Sequence, residues 1–220
     1  MLKTIRNHHN VKNFFKRFAD QSELVYFGYV DKDDDAHIYK GITFTPNCID
    51  TNYCHGTVSD YDVTAFNRES EYRDLVGQSS TIKWTVVAVH LKIGGLPHAV
   101  IDGKRHPKSF YNSVFIRFPR LRRAGALLNQ INPSAGVQFE LLARPDAGTQ
   151  ISSFMDDSML QRMLTSFTRY SVEIDNDMLY VYSPLETRSE KDLRDMLAEA
   201  LWLSETIENR VHMAHPVVAV

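Results

Sequence analysis

Cysteine is scarce: Cys48 and Cys54 are the only two in 220 residues, too few for the frameworks that hold small secreted domains together. Both are expected as reduced thiols. No run of about 18 apolar residues, the length that a membrane-spanning helix needs, occurs in the chain. The sequence also has no G-x-S-x-G elbow, H-E-x-x-H helix, Walker loop or G-x-G-x-x-G turn, so the common signatures of hydrolytic, zinc-dependent and nucleotide chemistry are missing. With 43% hydrophobic and 24% charged residues, 10 Gly and 8 Pro, neither disorder nor a collagen-like repeat fits. Residues 1–18 carry basic and aromatic side chains without an apolar core or a small-residue cleavage site, which reads as a water-soluble protein of the cytoplasm.

Acid is absent from residues 103–139, a stretch that holds Lys104, Arg105, Lys108, Arg117, Arg120, Arg122 and Arg123. The formal net charge of -2 hides this unevenness. Residues 1–139 carry 18 Lys and Arg against 13 Asp and Glu, whereas residues 140–220 carry 7 against 14. Such a split can draw halves or subunits together, or it can mark a surface for a polyanion.

Apolar spacing gives the element order. Val11, Phe14, Phe15 and Phe18 fall at helical spacing while Lys12, Lys16 and Arg17 take other positions, which predicts an amphipathic helix ending near Asp20. Residues 24–30 and 38–45 are rich in branched and aromatic side chains and flank Asp31, Lys32, Asp33, Asp34 and Asp35, a pattern that predicts a hairpin. Residues 47–55 read as a loop and 56–68 as a strand. Residues 81–93 carry Ile82, Trp84, Val86, Val87, Val89, Leu91 and Ile93, apolar on both faces, and predict the central strand. Strands follow at 99–101 and 109–118, then a basic connection over 119–134 punctuated by Pro and Gly.

The remainder reads β-α-β-β-α. A strand at 137–144 precedes a helix at 154–167 with the stripe Met155, Met159, Leu160, Met163, Leu164 and Phe167. A hairpin turns at Asp175, Asn176 and Asp177, and a closing helix carries Leu193, Met196, Leu197, Ala200, Leu201 and Ile207 behind a Ser189–Asp192 capping box. The fold class is therefore α+β: a helix over 1–20, a mainly antiparallel β domain over 21–130 and a β-α-β-β-α domain over 131–220, with a shared sheet left open.

Phe139-Glu140-Leu141-Leu142, the helix from Met159 to Leu164, Val172-Glu173-Ile174, Leu179-Tyr180-Val181-Tyr182 and the closing helix together resemble a bacterial family known only as a domain of unknown function. The resemblance spans residues 137–210 and implies a layout of elements but no catalytic residue. Members of that family carry predicted membrane helices ahead of the soluble part, and this sequence has none. Val25-Tyr26-Phe27-Gly28, Tyr61-Asp62-Val63 and Leu96-Pro97-His98 look like hypothetical proteins of small-genome bacteria, which implies a two-part arrangement.

The polar candidates are each incomplete. Asp31, Asp33 and Asp35 have the spacing that opens a calcium loop, but Ala36 and Ile42 occupy the positions where that loop needs Gly and Glu, so a solvated turn is the reading. Cys48, Cys54, His55 and His37 are soft ligands, yet their spacing does not match that of structural zinc sites. His98 and Asp102 would share one face of a strand as a His–carboxylate pair, without a nucleophile. Between the basic residues of 104–123 lie Phe110, Tyr111, Phe115 and Phe118, the combination with which single-stranded nucleic acid is held, or else an apolar core face whose arginines pair with the acidic second half. The face of Val11, Phe14, Phe15 and Phe18 serves packing on the protein itself or a dimer contact, with an anionic membrane as the lesser reading.

The function expected from the sequence is a non-catalytic intracellular interaction protein that associates with a protein partner or with itself. A nucleic-acid-binding module using residues 104–123 is one alternative, and an enzyme around His98 and Asp102 is the other. No cofactor or metal is expected.

Overall fold

The computed structural model describes residues 2–30, 41–73, 77, 79–103, 106–184 and 189–214, with side chains from Val11 onward. Helix α1 (Leu2–Gln21) opens the chain and presents Val11, Phe15 and Phe18 to the interior, as the helical spacing requires. It stops because Glu23 takes a left-handed φ of 57°, which lets the Leu24 N–H reach back to the Ala19 carbonyl at 2.9 Å and buries Leu24 behind the last turn.

Four strands follow in a meander: β1 (Val25–Tyr29), β2 (Ile49–Val58), β3 (Tyr61–Arg73) and β4 (Ser79–His90). Then come β5 (Leu96–Asp102), helix α2 (Lys108–Arg117), the two-residue β6 (Arg122–Arg123), α3 (Gly125–Ile131), α4 (Pro133–Gln138) and β7 (Glu140–Ala143). The chain closes with α5 (Gly148–Phe154), α6 (Asp157–Ser166), the hairpin of β8 (Ser171–Asn176) and β9 (Met178–Ser183), and α7 (Glu190–Ala214).

Among the described residues, nine strands form one antiparallel sheet in the order β1-β2-β3-β4-β9-β8-β5-β7-β6. The α+β class expected from the pattern is thus what the chain adopts. The β8–β9 hairpin is inserted between β4 and β5, so strands from residues 21–130 and 131–220 alternate across one sheet and the boundary near Gln130 is not a break in it.

The two faces of the sheet carry different cores. One packs Val63, Ala65, Val87, Val89, Ile101 and Leu141 beneath α1 and α3 to α7. The other packs Phe66, Trp84, Val86, Val100 and Tyr182 beneath Phe110 and Val114 of α2 and Ile42 of the segment before β2. From Trp84 to Val89 strand β4 is buried on both faces, which accounts for its apolar run.

Two expectations are corrected. Residues 109–118 form helix α2 rather than a strand. Phe110, Tyr111 and Val114 meet the sheet at spacings of one and four, and this contact outweighs the β preference of Val114, Phe115 and Ile116. Residues 47–55 are largely strand β2, which pairs with β1. The polar look of β2 has structural causes: Asp50 is consumed in a buried ion pair with Arg68, and Asn52 (φ 57°) lies where the β2–β3 register slips. Residues 31–40, with Asp31, Asp33, Asp35 and His37, lie outside the described residues, and residues 41–43 form a turn.

A sealed polar seam as the candidate functional site

Strands β5 and β8 place polar side chains on the α2-bearing face. Their register sets Val100 against Glu173, and period-two alternation then aligns His98, Asp102, Ser171 and Glu173 on one side, with Val172 and Ile174 on the other. His98 Nε2 lies 2.7 Å from Glu173 Oε1. The second oxygen, Oε2, accepts the Ile42 N–H at 2.7 Å and the Tyr182 hydroxyl. Gly41 makes this approach possible, because a Cβ there would fall 1.9 Å from Tyr182 Oη and 2.7 Å from Glu173 Oε2. Burial disfavours the His98 imidazolium, but the hydrogen bond and charge of Glu173, with Asp175 adding, hold its pKa above the ordinary value.

Asp102 anchors the other end of the seam. Its Oδ1 lies 2.8 Å from His106 Nε2 and accepts the Ser171 hydroxyl at 2.5 Å, and its Oδ2 accepts the Tyr111 hydroxyl. Burial pushes the carboxyl up, and the combined pull of His106, Ser171 and Tyr111 more than offsets it, leaving Asp102 below the usual carboxylate range. The same closeness, added to burial, raises the Tyr111 phenol.

A third set holds down residues 41–45. Arg68 makes a bidentate pair with Asp50 at 2.8 and 2.7 Å and reaches Thr43 Oγ1 at 3.3 Å. Arg117 donates to the Ile42 carbonyl at 2.6 Å and to the Phe44 carbonyl.

Chemically the seam is a fastening. His106 Nε2 approaches both Asp102 Oδ1 (2.8 Å) and Ser171 Oγ (3.2 Å). A relay needs one ring nitrogen for the acid and the other for the nucleophile, so these three groups do not form one. The His106 and Asp102 side chains are 3% and 1% exposed, which leaves no approach for a substrate. The expected His98–Asp102 pair is corrected too: each takes a different partner, because the adjacent strand and the turn before α2 offer closer ones.

The basic stretch is divided by the fold. Lys104 and Arg105 lie outside the described residues. Lys108, Arg120, Arg122 and Arg123 are exposed, with Arg123 3.3 Å from Glu140 and Arg122 donating to the Pro119 and Leu121 carbonyls at 2.6 and 2.7 Å. Arg117 is committed to the interior, and Phe110 and Tyr111 are buried, which removes two stacking rings from the surface. On α1, Val11, Phe15 and Phe18 pack on the protein's own sheet, while Phe14 is half-buried beneath the Arg17 guanidinium.

Cys48 and Cys54 are free and buried, and burial pushes the Cys54 thiol up to about 12. Among the described residues no group of His, Cys, Asp and Glu is placed to hold a metal ion, and no helix is long and apolar enough to cross a membrane. Two clefts open elsewhere. One of about 390 Å³ lies between Val11, Lys12, the start of β2 and the middles of β3 and β4, and one of about 590 Å³ lies between Tyr61, Lys92 and Trp202.

Sequence reasoning missed Glu173, a carboxylate inside the apolar run of β8, and the role of Gly41. A buried charge between Val172 and Ile174 was the available signal for the first. It also missed strand β1 as a surface. Val25, Phe27 and Tyr29 are 58%, 55% and 64% exposed, and Ile49 at the start of β2 is 51% exposed.

The class defined by these features is an α+β protein whose described residues form a nine-stranded antiparallel sheet, with α1 and α3 to α7 on one face and α2 over a polar seam on the other. No family model and no curated protein matches the chain. Among solved structures, the crystal structure of the mycobacterial trehalose monomycolate transport factor A, TtfA, is similar in fold. Its TM-score is 0.62 at 15% identity, over 96% of this chain and 99% of that one.

Proposed function

We propose that the protein is a non-catalytic interaction protein that works by binding another polypeptide chain. The observation that carries this reading is the exposed apolar group on β1 and the start of β2. Of the seven large apolar side chains exposed among the described residues, Val25, Phe27, Tyr29 and Ile49 lie there, while Ile116, Val137 and Met213 are scattered over α2, α4 and α7. The sealed seam supports the same reading, since its histidines and carboxylates spend their hydrogen bonds on one another and on the backbone. Similarity in fold to a protein described as a transport factor is in keeping with an accessory role. Two free thiols suit the reducing cytoplasm.

The experiment is native mass spectrometry of the full-length protein, purified gently from its source cells. The expected result is a species heavier than the 25.3 kDa chain by the mass of a polypeptide, either a second copy or another protein. A bare monomer, or a monomer that retains only a small-molecule mass, would overturn the reading.

A further inference from the structure

Four carboxylates are buried among the described residues: Asp50, Asp102, Glu173 and Glu208. Three of them face a base, Asp50 the Arg68 guanidinium, Asp102 the His106 ring and Glu173 the His98 ring. Glu208 on α7, 6% exposed, makes no ion pair with any described residue. Its Oε2 accepts the Tyr61 hydroxyl at 2.8 Å, and its Oε1 accepts the Lys92 backbone N–H at 2.5 Å. Hydrogen bonds alone leave its buried charge without a counter-charge, whereas buried charges are as a rule paired.

Glu208 lines the cleft of about 590 Å³ between the β2–β3 turn, the end of β4 and α7. That size lies within the roughly 300 to 1,000 Å³ of ligand sites. The turn contributes Asp60 and the helix contributes Glu205, both exposed and neither in an ion pair with a described residue. Burial, followed by Glu208 and then Glu205, pushes the Tyr61 phenol up, so both helix carboxylates act on one wall of the cleft. The one lysine of the lining is not spent on these acids. The Lys92 ammonium lies 4.5 Å from the Tyr61 ring centroid, which shows that this wall accepts a cation. Three acids against Lys92, with His212 neutral, leave the lining negative. A metal ion is the poorer occupant, since no group of described ligands is placed to hold one. A cation on an apolar stem matches both the acids and the Trp202 and Leu201 side chains beside them.

We propose that this cleft receives a Lys or Arg side chain of the partner polypeptide, its charged head among Asp60, Glu205 and Glu208 and its stem along Trp202 and Leu201. The inference rests on the interaction reading above and names the chemistry by which the partner is recognised.

The test uses full-length protein and three peptides, acetyl-Gly-Gly-Xaa-Gly-Gly-amide with Lys, Arg or norleucine at Xaa. Nuclear magnetic resonance follows the two tryptophan indole N–H signals, with Trp202→Phe assigning the one at the cleft; Trp84 is buried in the core on the opposite face of the sheet. The Lys or the Arg peptide is expected to move the Trp202 signal saturably, at least tenfold more tightly than the norleucine peptide, and to weaken as salt is raised. Glu205→Gln, and separately Glu208→Gln, are expected to weaken it at least threefold while circular dichroism stays unchanged. Because Glu205 is exposed, its variant keeps the test sound if Glu208→Gln fails to fold. An unmoved Trp202 signal, equal binding of the norleucine peptide, or binding that survives Glu205→Gln would overturn the inference. A polypeptide complex that native mass spectrometry finds undiminished in Glu205→Gln would also overturn it and would leave the interaction reading standing. Retention of a small amine in place of a polypeptide would overturn both.

Discussion

His98 and Asp102 stand four residues apart on β5 and are fastened to different elements: His98 to Glu173 on β8 at 2.7 Å, and Asp102 to His106 ahead of α2 at 2.8 Å. One strand is therefore fastened to its neighbour β8 at one end and to the turn before α2 at the other, with opposite responses to pH.

The first prediction follows from the signs. His98 has a pKa raised above its ordinary 6.5, because Glu173 outweighs burial, so its contribution to stability is complete below pH 6.5 and fades as pH rises through the folded value. Asp102 is depressed below 3.8, so its contribution is complete above that pH and fades as pH falls through the folded value. Urea midpoints measured across pH should show His98→Gln flattening the limb above pH 6.5 and Asp102→Asn flattening the acid limb. Parallel profiles for wild type and His98→Gln above pH 6.5 would contradict the assignment.

Asp102→Asn should also lower stability at neutral pH by about 2 kcal/mol, since the amide cannot keep all of the hydrogen bonds that the buried carboxylate makes with His106, Ser171 and Tyr111. Chemical denaturation measures this directly. A loss below about 0.5 kcal/mol, the range of an ordinary surface change, would mean that the seam is not a fastening.

Gly41→Ala should cost about 2 kcal/mol, as expected of overpacking. The new methyl meets Tyr182 Oη and Glu173 Oε2. Adding Tyr182→Phe removes the nearer atom and should recover part of the loss. A double variant no more stable than Gly41→Ala would place the strain elsewhere.

Two arginines from the basic stretch should behave differently in thermal unfolding. Arg117→Met leaves the Ile42 and Phe44 carbonyls without their donor and should destabilise by about 2 kcal/mol, whereas exposed Arg120→Ala should fall within about 0.5 kcal/mol. Equal effects would show that Arg117 is not a clamp.

The turn between β2 and β3 holds Ser59 and Asp60 at φ values of 50° and 64°, a left-handed pair that favours Asn-Gly. Asp60→Gly should therefore raise the unfolding midpoint, by an amount worth about 0.5 to 1 kcal/mol. A lowered midpoint would show that the Asp60 side chain supports the fold through contacts of its own.

The elements that were legible in the sequence repeat one period without interruption. Val11, Phe15 and Phe18 mark α1, Leu193, Met196, Leu197 and Ala200 mark α7, and the doubly apolar β4 declares its central place. Elements whose residues answer to distant partners were not legible. In β2, Asp50 looks like a loop residue until Arg68 of β3 is placed beside it. In α2, the adjacent Phe110 and Tyr111 look like part of a strand until both turn onto the sheet. The candidate site was legible only as separate letters: His98 and Asp102 stood out, but Glu173 and Ser171 join them through strand order, which depends on pairings between residues more than seventy positions apart, and His106 through the turn before α2.

The insertion of β8 and β9 between β4 and β5 bears on how the chain is made. The meander β1 to β4 can assemble as it leaves the ribosome, because each strand follows its neighbour. Strand β5 emerges with its place in the sheet still vacant on one side, and that gap closes only once residues 171–183 have been synthesised. Until then Val87 and Val181, partners in the finished sheet, are separated by the synthesis of 94 residues, and the inner edge of β4 waits unpaired for a strand that comes late.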